Sequence, residues 1–388
     1  MKLTKNISFK NYKTSKKNKK ILNILNQIKK EDNKVLESMK KNYGDSFDKK
    51  KISKYKKYSE IRLFGIGGSS LGAQSIYEFL KYKIKKNFLF LDNLDISENN
   101  QKKNKKKLNL VISKSGNTLE TIATSNIAIN KNQKNIFITE NKRSYLMDLA
   151  QKLKSDIVHH NNFIGGRYSV LSEVGMLPAE LMGLNVNKFR RFNDLINNKK
   201  FVNSLITNVS NIYELTKKKR FNSIILNYDK SSSNLFYWYQ QLVAESLGKM
   251  GKGIMPIIST MPKDNHSLMQ LYLDGPKNNF YTFFFVNDKS SIEIKNKILL
   301  KSHSYLKNKS LNEIKKSQFK ATENIFKKKN IPFRSFYLNE RNEQSLGELF
   351  TFFILETILL GKLLDVNPYD QPAVELIKKE TKKILTNS

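Results

Sequence analysis

The sequence predicts an α/β protein with parallel sheets, organised as two units in tandem. Three observations carry this. Short apolar runs alternate with helix-length amphipathic stretches, as βαβ units require. The alternation occurs twice along the chain, and 388 residues give room for two cores of ordinary size.

Taken in order, residues 1–50 mix Lys and Asn with apolar positions at helical spacing, as in "ILNILNQIKKEDNKVLESMKK", and are expected to form a helical lead-in. Residues 51–187 form the first unit, with strands expected at "IRLFGI" (61–66), "NFLFL" (87–91), "LNLVIS" (108–113) and "NIFIT" (135–139). A helical, basic stretch at 188–220 bridges to the second unit, residues 221–364, whose strand candidates are "FNSIILNY", "GIMPIIS", "YTFFFV" and "PFRSFYL". The most apolar run, "LGELFTFFILETILLGKLL", contains Glu348, Glu356 and Lys362, so it reads as a buried helix with a polar edge rather than a membrane span. Residues 365–388 form a Pro-punctuated turn and a final helix.

Composition removes several function classes. With 39% apolar and 11% aromatic residues the chain can bury cores, which excludes wholesale disorder. Zero Cys excludes disulfides and thiolate metal sites, and four His (His159, His160, His266 and His303) leave little for a metal centre. No cofactor is expected, and any metal would arrive with the substrate. The N-terminus has no apolar signal region, so the cytoplasm is the expected location. The net charge of +36 raises the question of nucleic acid. The excess, however, is Lys spread along the chain, and runs such as "KKNKK" and "KKNKKK" (102–107) lack interleaved aromatics or repeated Arg. Neither a nucleic-acid nor a membrane partner is expected; the field would draw in an anionic metabolite.

In open parallel sheets, ligands sit at the carboxyl ends of strands, beside helix N-termini that favour anions. Two loops have that grammar. "FGIGGSSLGAQSIYEFL" places Gly65, Gly67, Gly68, Ser69 and Ser70 between strand and helix. It is neither a dinucleotide fingerprint, since Ser70 stands at the third Gly position, nor a Walker loop. A Gly-rich turn with a Ser cap and an anion loop both remain open. In "LVISKSGNTLET", Asn117 and Glu120 fit a capping box, yet Ser113, Lys114, Ser115 and Thr118 remain beyond what a helix start needs. Hydroxyls, backbone N–H groups and a Lys suit a phosphate monoester.

Four further polar islands lie in apolar surroundings. Arg167 follows two Gly in "FIGGRYSVLSEVG"; Glu245 lies near the end of the helix through "QQLVAESLGKMGKG". His266 precedes an amphipathic run in "KDNHSLMQLYLDGP", and Gln371, Glu375 and Lys378 share a helical stripe in "NPYDQPAVELIKK". Each taken singly has a structural explanation.

Taken together and in order, "GIGGSSLG", "SKSGNTLET", "GGRYSVLSEVG", "QLVAESLGK", "DNHSLMQ" and "NPYDQPAVELIKK" resemble the glucose-6-phosphate isomerase family in its shorter bacterial form, over about residues 60–380. The resemblance implies two sugar-isomerase (SIS) domains of flavodoxin-like αβα architecture. It also implies a homodimer with the site at the domain and subunit boundary, and no cofactor. It further implies a phosphate site of Ser69, Ser113, Lys114, Ser115 and Thr118, with Gly68, Gln241 and Gln371 near the sugar. Glu245 would be the base moving a proton between C2 and C1, and Arg167 would stabilise the cis-enediolate. His266, from the neighbouring subunit, would open the pyranose ring together with Lys378. The chain departs from the family at Leu247 (a polar residue in the family), Asn265 (Gln or Leu), Asn117 (Thr) and Ser70 (Asp or Tyr). Rival expectations are a non-catalytic SIS module that senses sugar phosphates, and an isomerase that also takes mannose 6-phosphate.

Overall fold

The computed structural model describes residues 2–13, 19–95, 107–288, 291–295 and 298–387; the basic run 102–107 lies outside them except for Lys107. The strands among them are β1 (Ile7–Lys10), β2 (Glu60–Phe64), β3 (Asn87–Leu91), β4 (Lys107–Ile112), β5 (Lys134–Glu140), β6 (Asp156–His160), β7 (Asn222–Asn227), β8 (Met255–Thr260), β9 (Asn279–Val286) and β10 (Phe333–Leu338). They form two five-stranded sheets, ordered β3-β2-β4-β5-β6 and β1-β10-β9-β7-β8. The first is parallel throughout. The second is parallel except for β1, which runs antiparallel to β10. The α/β class with parallel sheets is therefore as the sequence predicts.

Parallel strands buried on both faces read as continuous apolar runs, which is why eight of them are visible in the sequence. Two others escape it. β6, "DIVHH", buries only Val158 and His160 at the sheet edge and has no apolar run to mark it. β1 adds a strand to the helical lead-in. Helix Lys19–Lys30 is present, burying Ile21, Ile24, Leu25 and Ile28, but an edge strand precedes it. Ile7 and Phe9 alternate inward, and the Phe9 ring lies 4.6 Å from that of Phe336 on β10.

The apolar helix Glu343–Leu363 buries almost every residue except Lys362 and is central to the large core. Its two interior glutamates do not form a polar edge; they point inward. Glu348 accepts from Thr4 Oγ1 (2.6 Å) and Asn6 Nδ2 (3.2 Å). Glu356 pairs with the buried Arg334 and accepts from Asn208 and from Tyr239 Oη (2.8 Å). Buried carboxylates persist because each finds such partners. Helix Lys199–Lys217, in the basic bridging stretch, packs on the same apolar helix. The two units meet where helix Leu71–Phe79, following β2, packs on helix Ser233–Leu247, following β7. The final helix, Val374–Asn387, buries no residue, and Leu376, Ile377 and Ile384 are exposed. Among the described residues no helix is long and apolar enough to cross a membrane.

Candidate active site

β2 is hydrogen-bonded to β3 on one side and β4 on the other, so the chain reverses its direction across the sheet between β2 and β4. Loops leaving the carboxyl ends of such a pair diverge and open a crevice. Those loops are the Gly-rich 65–70 segment and the 113–118 segment.

In the second loop Ser113 is buried, and its hydroxyl lies 2.7 Å from that of Thr118. Ser115 Oγ accepts from the Asn117 backbone N–H at 3.2 Å. The Lys114 ammonium stands 3.5 Å from Glu140, which Lys142 also holds at 2.5 Å. The expected capping box does not form. Thr118 is the N-cap of helix Leu119–Ala128 and makes no side-chain cap, while Asn117 Oδ1 turns away to accept from the Tyr145 backbone N–H at 3.0 Å. The tie to the neighbouring Tyr145 wins over the local cap. The first-turn N–H groups therefore lack the side-chain acceptor that a cap would supply, which suits an anion.

In the first loop, the glycines serve approach between protein segments. A Cβ on Gly68 would fall 2.2 Å from the Gly166 carbonyl carbon and 2.6 Å from the Arg167 nitrogen. Gly67 has φ +56, and a Cβ there would sit 2.9 Å from Gln241 Nε2. The loop carrying Ser69 is thus wedged between Arg167 and Gln241, joining the hydroxyl-rich end of the first sheet to the second unit.

There the chemistry converges. Arg167, 1% exposed, enters on the turn Gly166–Leu171, and Trp238 Nε1 donates to its carbonyl at 3.1 Å. Its Nη1 donates to Glu245 Oε2 at 3.2 Å and to Gln371 Oε1 at 2.6 Å. Gln241, one turn before Glu245, donates from Nε2 to Glu245 Oε1 at 2.9 Å. A half-buried carboxylate, braced on both oxygens and facing a fixed guanidinium, can take a proton from carbon beside a stabilised oxyanion.

The sequence reading missed the residues that fix this pair. Arg167 Nε donates to Ser246 Oγ (2.8 Å), and Nη2 donates to the carbonyls of Pro368 (2.7 Å) and Asp370 (3.0 Å). Tyr168 Oη lies 2.9 Å from Ser246 Oγ and donates to the Pro368 carbonyl at 2.9 Å. Burial raises the Tyr168 pKa, so the phenol keeps its proton. Lys249 donates to the carbonyls of Ser246 (3.0 Å) and Asn367 and pairs with Asp370 at 3.0 Å. Its hydrogen bond is the largest cause holding the Asp370 carboxyl below its usual range. Together Arg167 and Lys249 clamp the strap 367–371 that carries Gln371. The signal was available, since Ser246 and Lys249 follow Glu245 in "ESLGK". Leu247, a family departure, is fully buried in the large core.

Two expected site residues are not brought to this cluster within one chain. His266 is exposed on the turn Lys263–His266, beyond the outer strand β8. Lys378 is exposed on the final helix and pairs with Glu375 at 2.6 Å. Among the described residues no group of three or more His, Asp or Glu is placed to hold a metal.

Tandem flavodoxin-like sheets, with hydroxyl-rich loops at the switch point of the first and a guanidinium–carboxylate pair joining the two units, are the architecture of the phosphosugar isomerase class. A crystal structure of tagatose-6-phosphate ketose/aldose isomerase from Escherichia coli shares the fold at TM-score 0.56 and 14% identity, covering 84% of this chain and 88% of that one. The chain belongs to the phosphoglucose isomerase family, whose profile matches residues 10–388. It is 32% identical over 375 residues to glucose-6-phosphate isomerase of Methanocaldococcus jannaschii, covering 91% of this chain and 90% of that protein. It is 35% identical over 358 residues to that of Mycoplasmopsis pulmonis, covering 83% and 82%. The crystal structure of a glucose-6-phosphate isomerase from Chlamydia trachomatis shares the fold at TM-score 0.72 and 18% identity, covering 87% and 72%.

Proposed function

We propose that this chain interconverts D-glucose 6-phosphate and D-fructose 6-phosphate, a step of glycolysis and gluconeogenesis, in the cytoplasm. The observation that carries the reading is the buried Arg167 guanidinium, 3.2 Å from the Glu245 carboxylate and held by four other acceptors. The phosphate binds Ser69, Ser113, Lys114, Ser115 and Thr118. This orients the open-chain sugar, past Gly68, against Gln241 and Gln371. Glu245 takes the proton from C2, and the electron pair forms the C1–C2 double bond while the C1 carbonyl oxygen becomes an oxyanion. Arg167 stabilises that cis-enediolate. Glu245 then returns the proton to C1 while the O2 hydroxyl proton passes to O1, so that C1 becomes a hydroxymethyl group and the carbonyl forms at C2. Charge is managed by Arg167, so the step itself needs no metal or organic cofactor.

Ring opening falls to His266 and Lys378, with His266 supplied by the second subunit of a homodimer. This is supported by the exposure of His266 away from Glu245 and by the uncovered apolar residues Leu376, Ile377 and Ile384 on the helix that carries Lys378. The test is Glu245→Gln. It should lower kcat by about 10²–10⁴ and abolish solvent-deuterium uptake at C2, while leaving binding of a non-reactive sugar phosphate intact. A wild-type protein that binds both sugars and converts neither would instead indicate a sensor.

A further inference from the structure

At the amino end of the first sheet, opposite the candidate active site, a polar row crosses three strands. Arg62 on β2 stands in register with Asn109 on β4, and Asn109 with Asn135 on β5. All three are buried, none more than 2% exposed. Arg62 Nε donates to Asn109 Oδ1 at 2.8 Å, and Nη2 donates to the Ala128 carbonyl at 3.0 Å and Gln133 Oε1 at 2.7 Å. Asn109 Nδ2 donates to Gln133 Oε1 (2.9 Å) and Asn135 Oδ1 (2.7 Å), and Asn135 Nδ2 donates to Ser155 Oγ (3.4 Å). Every acceptor around the guanidinium is neutral. The carboxylate that acts on it from a distance, Glu60, is itself paired with Lys107 at 3.0 Å. A buried charge without a counterion is costly, and in the interior of a sheet it calls for a reason.

Gln133, Asn135 and Ser155 also line a pocket of about 520 Å³. Lys54, Lys57, Lys131, Lys134 and Lys154 line it, and its one lining carboxylate, Asp156, is held by Lys54 at 2.7 Å and by Tyr55 Oη at 2.9 Å. The other four lysines have no carboxylate partner among the described residues. Four lysines without a carboxylate partner among the described residues thus line a pocket, with the Arg62 guanidinium one hydrogen bond behind Gln133.

We propose that this pocket binds a small polyanion made of linked phosphate groups, with its oxygens among Lys57, Lys131, Lys134 and Lys154 and its charge balancing Arg62. The volume lies within the range of small-ligand sites. A free phosphate chain fits better than a nucleotide, because Tyr55 and Tyr58 are 6% and 9% exposed and offer no open ring for a base to stack on. Asn109, behind the pocket lining, lies four residues before Ser113, which follows the other end of β4, so occupying the pocket does not obstruct the sugar-phosphate crevice.

The test is isothermal titration with inorganic tripolyphosphate at about 150 mM salt, where diffuse attraction to the chain's net positive charge is screened. Saturable binding to the wild type is expected. Lys131→Glu with Lys154→Glu should weaken it about 30-fold or more and leave sugar-phosphate isomerisation unchanged. The control pair Lys29→Glu with Lys30→Glu, which makes the same change in net charge at the end of a distant helix, should alter it less than about threefold. In a parallel titration with ATP, equal affinity assigns a free phosphate chain, and affinity about tenfold tighter assigns the phosphate tail of a nucleotide. No saturable binding of either probe would overturn the proposal. So would equal losses in the two variant pairs, or displacement of tripolyphosphate by single-stranded DNA at matched phosphate concentration.

Discussion

Replacing Arg167 with Lys separates charge from geometry. The guanidinium makes five side-chain hydrogen bonds, to Ser246, Glu245, Gln371, Pro368 and Asp370, between 2.6 and 3.2 Å. A lysine keeps the positive charge but has three donors on one terminal nitrogen and nothing at the Nε position that meets Ser246. At least two of the five bonds are therefore lost in a site where the residue is 1% exposed. Losing two bonds donated by a charged group costs about 3 kcal/mol of stability, read as a lower urea midpoint at unchanged slope. The kinetic cost is larger. The positive charge withdraws from the developing oxyanion and Gln371 loses its anchor, so kcat should fall about 10²–10³-fold. The proposed phosphate contacts, Ser69, Ser113, Lys114, Ser115 and Thr118, do not include the Arg167 guanidinium, so inhibition by a non-reactive sugar phosphate should change less than about threefold. The assay follows conversion in both directions on folded protein, with glucose 6-phosphate or fructose 6-phosphate as substrate. A variant with wild-type kcat and a normal urea midpoint would refute the role assigned to the guanidinium.

Further outcomes follow from other parts of the structure. For the proposed homodimer, mixing His266→Ala with Glu245→Gln subunits, after unfolding and refolding together, should restore about a quarter of wild-type activity, because half the dimers would be mixed and each would hold one complete site. A mixture no more active than its components would place His266 outside the shared site. Thr118→Val removes the hydroxyl 2.7 Å from Ser113 Oγ and should raise KM about tenfold at nearly constant kcat; an unchanged KM would mean that these hydroxyls do not meet substrate. Arg334→Met leaves Glu356 buried without its cation and should cost about 3–5 kcal/mol in urea unfolding. A loss below about 1 kcal/mol would show that Asn208 and Tyr239 suffice for that carboxylate.

By itself the sequence determined the architecture and singled out the residues on which the proposed chemistry rests. Parallel strands buried on both faces must be written as apolar runs, so β2, β3, β4, β5, β7, β8, β9 and β10 are legible locally. A loop between strand and helix that is crowded with hydroxyls shows its excess without any tertiary information, as 113–118 does. What only the tertiary structure decided are pairings between segments far apart in the chain. β1 finds β10, Glu348 and Glu356 turn inward to distant partners, and Asn117 leaves its own helix start for Tyr145. The Pro368 and Asp370 carbonyls reach Arg167 from 201 and 203 residues away. Propensity and periodicity act over one or two turns of chain, whereas these contacts exist because the topology folds two sheets together and leaves buried polar groups that must find partners. The residues of the proposed reaction are written in the motifs; the clamp of Tyr168, Ser246 and Lys249 around Arg167 and the 367–371 strap belongs to the fold.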